Sequence, residues 1–225
     1  PAYRQYFSFV ERGGLYAGEE FMLWIKEKLN QARRGLGSTT LEEFHRRTGR
    51  DLSVIASDTT GAEMLVLNHR TAPNVPVIWA VRMSMSVPFL WQEVQWDPNW
   101  GTYRGRHIAG HTIVDGGVLS NFPIELLLAT GPHHRALMGE REKTSPVIGL
   151  LIDETLEVPE GEAARAEKPR PQVIDLESRW FITLTRITNL INTMTTARDN
   201  QALLTYKDLI CRLPAKGYGT IEFDM

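Results

Sequence analysis

Hydrophobic residues recur along the chain at two different periods, and the two kinds of segment alternate. Spacings of three and four residues predict helices over residues 19–33, 77–85, 123–130 and about 175–206, with a further short helix between Thr40 and Gly49. Short apolar or β-branched runs predict strands over residues 52–57, 63–67, 111–114, 147–152 and 209–213. Strands that alternate with helices are typical of one α/β domain.

Two segments between these elements are predicted to be loops. Residues 91–110 are rich in Asp, Pro, Asn and Gly, which predicts an ordered loop. This loop contains Trp91, Trp96 and Trp100, whose amphipathic rings favour either a lipid surface or the protein's own core; we favour the core. Residues 154–171 are charged and contain prolines, which predicts a surface loop. The tryptophan rings thus leave two alternatives for residues 91–110, packing on the core and peripheral membrane contact.

The composition indicates a folded globular protein, with 42% hydrophobic and 23% charged residues. Lys and Arg together number 25 and Asp and Glu 27, so the net charge of −2 gives no general electrostatic reason to bind nucleic acid or anionic lipid. No apolar run approaches the roughly 20 residues that span a bilayer.

The single cysteine, Cys211, lies in an apolar strand and is predicted to be an inert core thiol. It leaves the compartment undecided, with the cytoplasm slightly favoured.

Asp115 is the residue best suited to chemistry. It follows an apolar strand and precedes Gly116 and Gly117, so we expect its carboxylate to project into a turn whose backbone can adopt a positive φ and approach a partner closely. Open α/β sheets gather their sites beyond the carboxyl ends of strands, which favours a functional role. Asp-Gly-Gly is also the sequence of an ordinary turn, and these three residues alone do not decide between the two interpretations.

The longer segment Thr112-Ile-Val-Asp-Gly-Gly-Val-Leu-Ser-Asn-Phe-Pro-Ile124 closely resembles the Asp-Gly-Gly segment of the patatin-like phospholipase family. Four further segments resemble the family in the same order along the chain: residues 13–16, 49–57, 82–89 and 147–152. Five matching segments in one order are more specific than any of them alone. Together with the final predicted strand they cover almost all of the 225 residues.

The resemblance implies a three-layer α/β/α fold with a mostly parallel central sheet, and a lipid acyl hydrolase with a Ser-Asp dyad and no cofactor. Asp115 would be the base, supported by Gly116 and Gly117, and the serine would lie in a Gly-x-Ser-x-Gly elbow after a glycine-rich oxyanion loop. Neither upstream motif occurs in this sequence. The chain also lacks a starting Met and a signal-peptide core. We therefore expect residues 1–225 to be the C-terminal portion of a single catalytic domain, inactive alone, with the nucleophile on an N-terminal segment or a second chain.

The remaining polar residues have weaker signals. Ser84 and Ser86 lack flanking glycines and are predicted to pack or cap. Asp58, before Thr-Thr-Gly, is predicted to form a hairpin turn. His107 and His111 are four residues apart at the entry to a strand, where that spacing is about 13 Å, so no metal site is predicted there or elsewhere.

Two functions from different classes fit the sequence. The first is a phospholipase or lysophospholipase-type esterase that acts on phospholipid or another lipid ester. The second is a non-catalytic lipid-binding or interaction module of the same fold that has lost the nucleophile. An intact Asp-Gly-Gly favours the first, because a decayed site has no physical need for a carboxylate.

Overall fold

A computed structural model describes residues 11–31, 35–140, 145–153, 155–158 and 199–215, with single positions 9, 186, 190 and 193. The chain divides into two compact units, of which the first comprises residues 1–121 and 129–141 and the second residues 122–128 and 142–225. The prediction of a single domain over residues 1–225 stays a prediction.

The elements whose bounds lie within the described residues are eight strands and five α-helices. The strands are β1 (Gly14–Tyr16), β2 (Val54–Asp58), β3 (Glu63–Leu67), β4 (Phe89–Trp91), β5 (Val94–Gln95), β6 (Thr112–Asp115), β7 (Gly149–Asp153) and β8 (Ile210–Pro214). The helices are α1 (Glu19–Asn30), α2 (Leu41–Thr48), α3 (Val77–Ser84), α4 (Glu125–Leu128) and α5 (Pro132–Met138). None of the helices in the described part of the chain is long and apolar enough to cross a membrane.

The largest sheet of the first unit has the strand order β3-β2-β6-β5 and is antiparallel at every ladder. The prediction of a mostly parallel central sheet is therefore wrong for this sheet. The connection between β2 and β3 is too short for the crossover that parallel strands require, so the pair forms the predicted hairpin. Parallel pairing occurs between β1 and β4 in the first unit and between β7 and β8 in the second. The chain is thus a mixed α/β protein, and its three-layer arrangement stays a prediction.

Local signals in the sequence mark the ends of α2 and the start of α3. Thr40 accepts a hydrogen bond from the Glu43 amide at 3.2 Å at the start of α2, and Gly49 ends that helix with a φ of 64°. Helix α3 starts directly after Pro76, at the position where a missing N–H costs nothing. The predicted helices are confirmed in the first unit, although α1 ends at residue 30 instead of 33.

One face of the four-stranded sheet packs with α3 in the main apolar cluster. Ala56, Leu65 and Ile113 lie in one apolar cluster with Met83 of α3, and each of them is completely shielded from solvent. Trp96 also belongs to this cluster, and its indole N–H donates to the carbonyl of Gly101 at 3.0 Å. The prediction that the tryptophan loop is fastened to its own core is confirmed for Trp96 and Trp100, which are 1% and 6% exposed.

The second unit corrects two predictions. The unbroken apolar run over residues 147–152 predicts a buried strand, but Leu150 and Ile152 of β7 are 62% and 70% exposed. The strand belongs to a two-stranded sheet, and Leu151, which points to the opposite face from Leu150 and Ile152, packs on the cluster around Phe122. Cys211 of β8 is exposed and is not a core thiol.

Two predicted segments fall mostly outside the described residues. Of the predicted helix over residues 175–206, positions 186, 190, 193 and 199–206 are described, and all of them are helical except Tyr206, which lies in a turn. Of the predicted loop over residues 154–171, only 155–158 are described, and they are exposed.

Candidate active site around Asp115

Asp115 is the last residue of β6, the strand that lies between β2 and β5. Its backbone is paired with Ala56 of β2, and its amide donates to the Ser86 carbonyl at 3.0 Å. The second bond joins the strand end to the turn that follows α3. The position of the Asp115 backbone is therefore determined by two separate segments of the first unit.

The two glycines after Asp115 permit close approach, but neither adopts the positive φ that the sequence suggested. A Cβ atom on Gly116 would lie 2.6 Å from the carbonyl oxygen of Ile55, a backbone atom of β2. A Cβ atom on Gly117 would collide with the amide oxygen of the Asn121 side chain. The need for glycine at these positions thus comes from packing rather than from backbone conformation.

We predict that Gly116→Ala destabilises the protein more than Gly117→Ala. The first substitution must displace the backbone of β2, whereas the second displaces only a side chain, which can change rotamer. Overpacking of this kind costs about 1–3 kcal/mol. Urea unfolding of both variants measures the difference, and equal midpoints would contradict this prediction.

The carboxyl of Asp115 is half-buried, and its Oδ1 accepts a hydrogen bond from the Gly117 amide at 2.7 Å. Desolvation raises the pKa of this group above its usual value of 3.8, and the hydrogen bond from Gly117 opposes that change in part. A carboxylate with a raised pKa is a better proton acceptor than an exposed one. The environment of Asp115 therefore suits a general base.

This raised pKa has a consequence for stability. Because the folded state holds the Asp115 proton more tightly than the unfolded state, ionisation of Asp115 penalises the folded state. The penalty is complete above the raised pKa and disappears as the pH falls to about 3.8. We predict that Asp115→Asn raises the midpoint of urea unfolding at pH 7 and that this gain in stability vanishes near pH 3.8. Asp153→Asn should act in the opposite direction, since donors from Thr155 lower the pKa of Asp153.

Neither Ser86 nor Ser57 hydrogen-bonds the carboxyl of Asp115. The Ser86 hydroxyl donates to the Arg82 carbonyl at 2.6 Å and accepts a hydrogen bond from the Arg82 guanidinium, so its predicted packing role is confirmed. Ser57 has a buried hydroxyl with no hydrogen-bond partner in the described part of the chain. It is paired with Val114, however, so its side chain lies on the opposite face of the sheet from that of Asp115.

Arg82 is a buried cation that sequence analysis did not single out as a site residue. It is 2% exposed, and its guanidinium donates to the carbonyls of Ala17 and Gln92 at 2.9 and 2.8 Å, besides Ser86. No carboxylate pairs with it among the described residues, and desolvation lowers its pKa. Arg82 therefore joins α3 to the turn before α1 and to the segment after β4.

Asp58 forms the predicted turn and also makes a contact that the sequence did not indicate. Its Oδ1 accepts from the amides of Thr60 and Gly61 at 2.9 and 2.8 Å, which confirms the turn. Its Oδ2 lies 2.7 Å from Nδ1 of His111. His111 is thus engaged by Asp58, while His107 is exposed.

The structure also contains a cluster of His and Asp side chains that sequence analysis did not predict. His45, Asp51 and His69 converge although they lie on three different segments of the chain. They follow no fixed spacing, so no sequence motif could have found them.

The comparisons with known proteins agree with the motif at Asp115. The sequence model of the family described as "Patatin-like phospholipase" matches residues 3–128, which include Asp115, Gly116 and Gly117. This chain belongs to the patatin-like phospholipase family. The match ends before β7, so the resemblance predicted for residues 147–152 lies outside it.

Two relatives also match. "Uncharacterized protein YqhO" of Bacillus subtilis (strain 168) is 34% identical over 154 residues, which is 66% of this chain and 44% of the relative. "Probable lipid hydrolase 463L" of Invertebrate iridescent virus 6 is 25% identical over 118 residues, which is 52% of this chain and 36% of the relative. The chain spans less than half the length of each of these curated relatives.

Proposed function

We propose that this chain is part of a lipid acyl hydrolase in which Asp115 is the general base of a Ser-Asp dyad. The observation that carries the proposal is a half-buried carboxylate at a strand end, fixed by the Gly117 amide and with a raised pKa. Membership of the patatin-like phospholipase family and similarity to a probable lipid hydrolase support the class of substrate. The substrate we propose is a phospholipid or another lipid ester.

The reaction begins when a serine hydroxyl attacks the ester carbonyl carbon and Asp115 accepts the hydroxyl proton. The tetrahedral intermediate then collapses, the alcohol leaves with the proton from Asp115, and an acyl-serine remains. Water attacks the acyl-serine, gives its proton to Asp115, and the serine leaves with that proton. Asp115 ends the cycle ionised, as it began, and the net reaction is hydrolysis of one ester bond.

The nucleophile in this proposal lies outside residues 1–225, because the sequence contains no Gly-x-Ser-x-Gly. The elbow and its oxyanion loop would come from an N-terminal segment of the same domain or from a second chain. This proposal predicts that the 225 residues alone do not hydrolyse esters. Peripheral membrane contact stays part of the proposal, but Trp96 and Trp100 cannot provide it, because both are buried.

Fluorophosphonate labelling of the natural full-length protein, with mass mapping of the modified peptide, tests the proposal. We expect the label on a serine in Gly-x-Ser-x-Gly outside these 225 residues. Label on Ser84 or Ser86 would overturn the assignment of the nucleophile. Absence of label in folded full-length protein would favour the non-catalytic lipid-binding module instead.

A further inference from the structure

Three side chains with metal-ligating atoms meet away from the Asp-Gly-Gly turn, in the first unit. His45 lies on α2, Asp51 precedes β2, and His69 follows β3. Nδ1 of His45 is 2.9 Å from Oδ1 of Asp51, and Nδ1 of His69 is 3.6 Å from the same oxygen. One ligand atom from each of the three residues lies within 4.8 Å of the other two. Two imidazoles therefore face a single carboxylate oxygen.

One of these ligand atoms has no other role in the structure. Nδ1 of His69 is buried and has no hydrogen-bond partner among the described residues. Buried polar atoms are nearly always paired, so an orphaned imidazole nitrogen beside a carboxylate calls for a ligand.

The separations between the ligand atoms suit a small divalent cation. Zinc binds imidazole nitrogen and carboxylate oxygen at about 2.0–2.2 Å, so tetrahedral ligand atoms lie roughly 3.4 Å apart. The observed separations of 2.9 and 3.6 Å lie on either side of that value. The other oxygen of Asp51 accepts from the Arg70 guanidinium at 3.0 Å, which keeps Oδ1 directed at the histidines. Such outer contacts orient the ligands of known metal sites.

We propose that His45, Asp51 and His69 bind a divalent transition metal, with two nitrogen ligands, one oxygen ligand and a fourth position for water. Two imidazoles and one carboxylate suit Zn²⁺, Ni²⁺ or Cu²⁺ better than Mg²⁺ or Ca²⁺, which prefer oxygen ligands alone. The ion would fasten α2 to the segments that flank β2 and β3. The proposal is independent of the proposed hydrolase activity, because no step of that reaction uses these residues.

Binding should change the arrangement of the two rings. The imidazoles of His45 and His69 are stacked, with centroids 3.8 Å apart and planes 5° from parallel. A coordinated metal lies in the plane of its imidazole, and two stacked planes share no such point. At least one ring must therefore rotate when the metal binds, and the Nδ1 contact of His45 with the Arg50 carbonyl, now 3.2 Å, must be lost.

The test is calorimetric titration of the EDTA-treated full-length protein with ZnCl₂ near neutral pH. We expect one equivalent to bind, and His45→Gln and His69→Gln each to weaken binding by about tenfold or more. His107→Gln is the matched control, since His107 is exposed and lies outside the cluster, and it should bind Zn²⁺ like the unmodified protein.

Two results would overturn the proposal. One is the absence of Zn²⁺ binding by the folded, unmodified protein. The other is Zn²⁺ binding of equal strength by both variants, which would assign the ion to other residues. If His69→Gln does not fold, His45→Gln and Asp51→Asn decide, because both side chains are more than one-third exposed. Co²⁺ provides a second readout, since its visible spectrum should report tetrahedral ligands in the unmodified protein and change in the variants.

Discussion

Asp115→Asn in the full-length protein should lower kcat for ester hydrolysis by about 10²–10⁴-fold, the usual contribution of a positioned general base. The amide that replaces the carboxylate can still accept a hydrogen bond from Gly117, but it cannot take up the serine proton. The fold should be retained, and the urea midpoint at pH 7 should rise for the reason given above. Loss of activity together with a gain in stability distinguishes a catalytic role from a structural one.

Asp97→Asn is the matched control for this experiment. Asp97 and Asp115 each precede a short 3₁₀ helix, Pro98–Trp100 and Gly116–Val118, and Oδ1 of Asp97 accepts from the Asn99 amide at 2.8 Å as Oδ1 of Asp115 accepts from the Gly117 amide. The substitution therefore changes the same kind of turn at a position without a catalytic role, and activity should stay unchanged. Near-normal turnover by Asp115→Asn would remove Asp115 from the mechanism.

The second large effect concerns Arg82. Arg82→Met should destabilise the protein by about 2–4 kcal/mol, because the carbonyls of Ala17 and Gln92 lose a charged donor and methionine offers no replacement. Removing the desolvated charge offsets part of this loss, since no described carboxylate compensates it. Native proteins are stable by only about 5–15 kcal/mol, so the change should be evident in a urea unfolding curve.

Two further variants define the origin of that effect. Arg82→Lys keeps the charge but cannot reach three acceptors in a fixed fork, so it should restore only part of the stability. Arg106→Met should cost about 1 kcal/mol or less, because its ion pair with Glu63 lies at the surface. If Arg82→Met unfolds at the same urea concentration as Arg106→Met, the bonds of Arg82 contribute little.

Local signals in the sequence predicted most elements of the first unit. Thr40 and Gly49 bound α2 through hydrogen bonds and dihedral angles within a few residues, so chain order alone is enough to find them. The hairpin of β2 and β3 was equally predictable from the sequence, because its turn is stabilised by hydrogen bonds between Asp58 and the amides two and three residues further on. Asp115 was found in the same way, by its position between an apolar run and two glycines.

Pairing and burial were less predictable, since they depend on residues far apart in the chain. The apolar run in β7 indicated a strand but could not reveal that one face of its two-stranded sheet stays exposed. Cys211 was placed in the core for the same reason and is exposed. Strand direction in the largest sheet also differed from the prediction, because it was inferred from the family and not from the lengths of the connections.

The sequence by itself determined the candidate base and the family, because Asp115, Gly116 and Gly117 are adjacent in the chain and their order is the signal. Only the tertiary structure decided why the glycines are needed and how the Asp115 carboxyl is desolvated, since both depend on contacts with distant segments. It alone brought His45, Asp51 and His69 together. A motif depends only on the order of residues in the chain. The pKa of a carboxyl depends on the solvent that folding removes from it, and a cluster of ligands depends on the distant side chains that folding brings together.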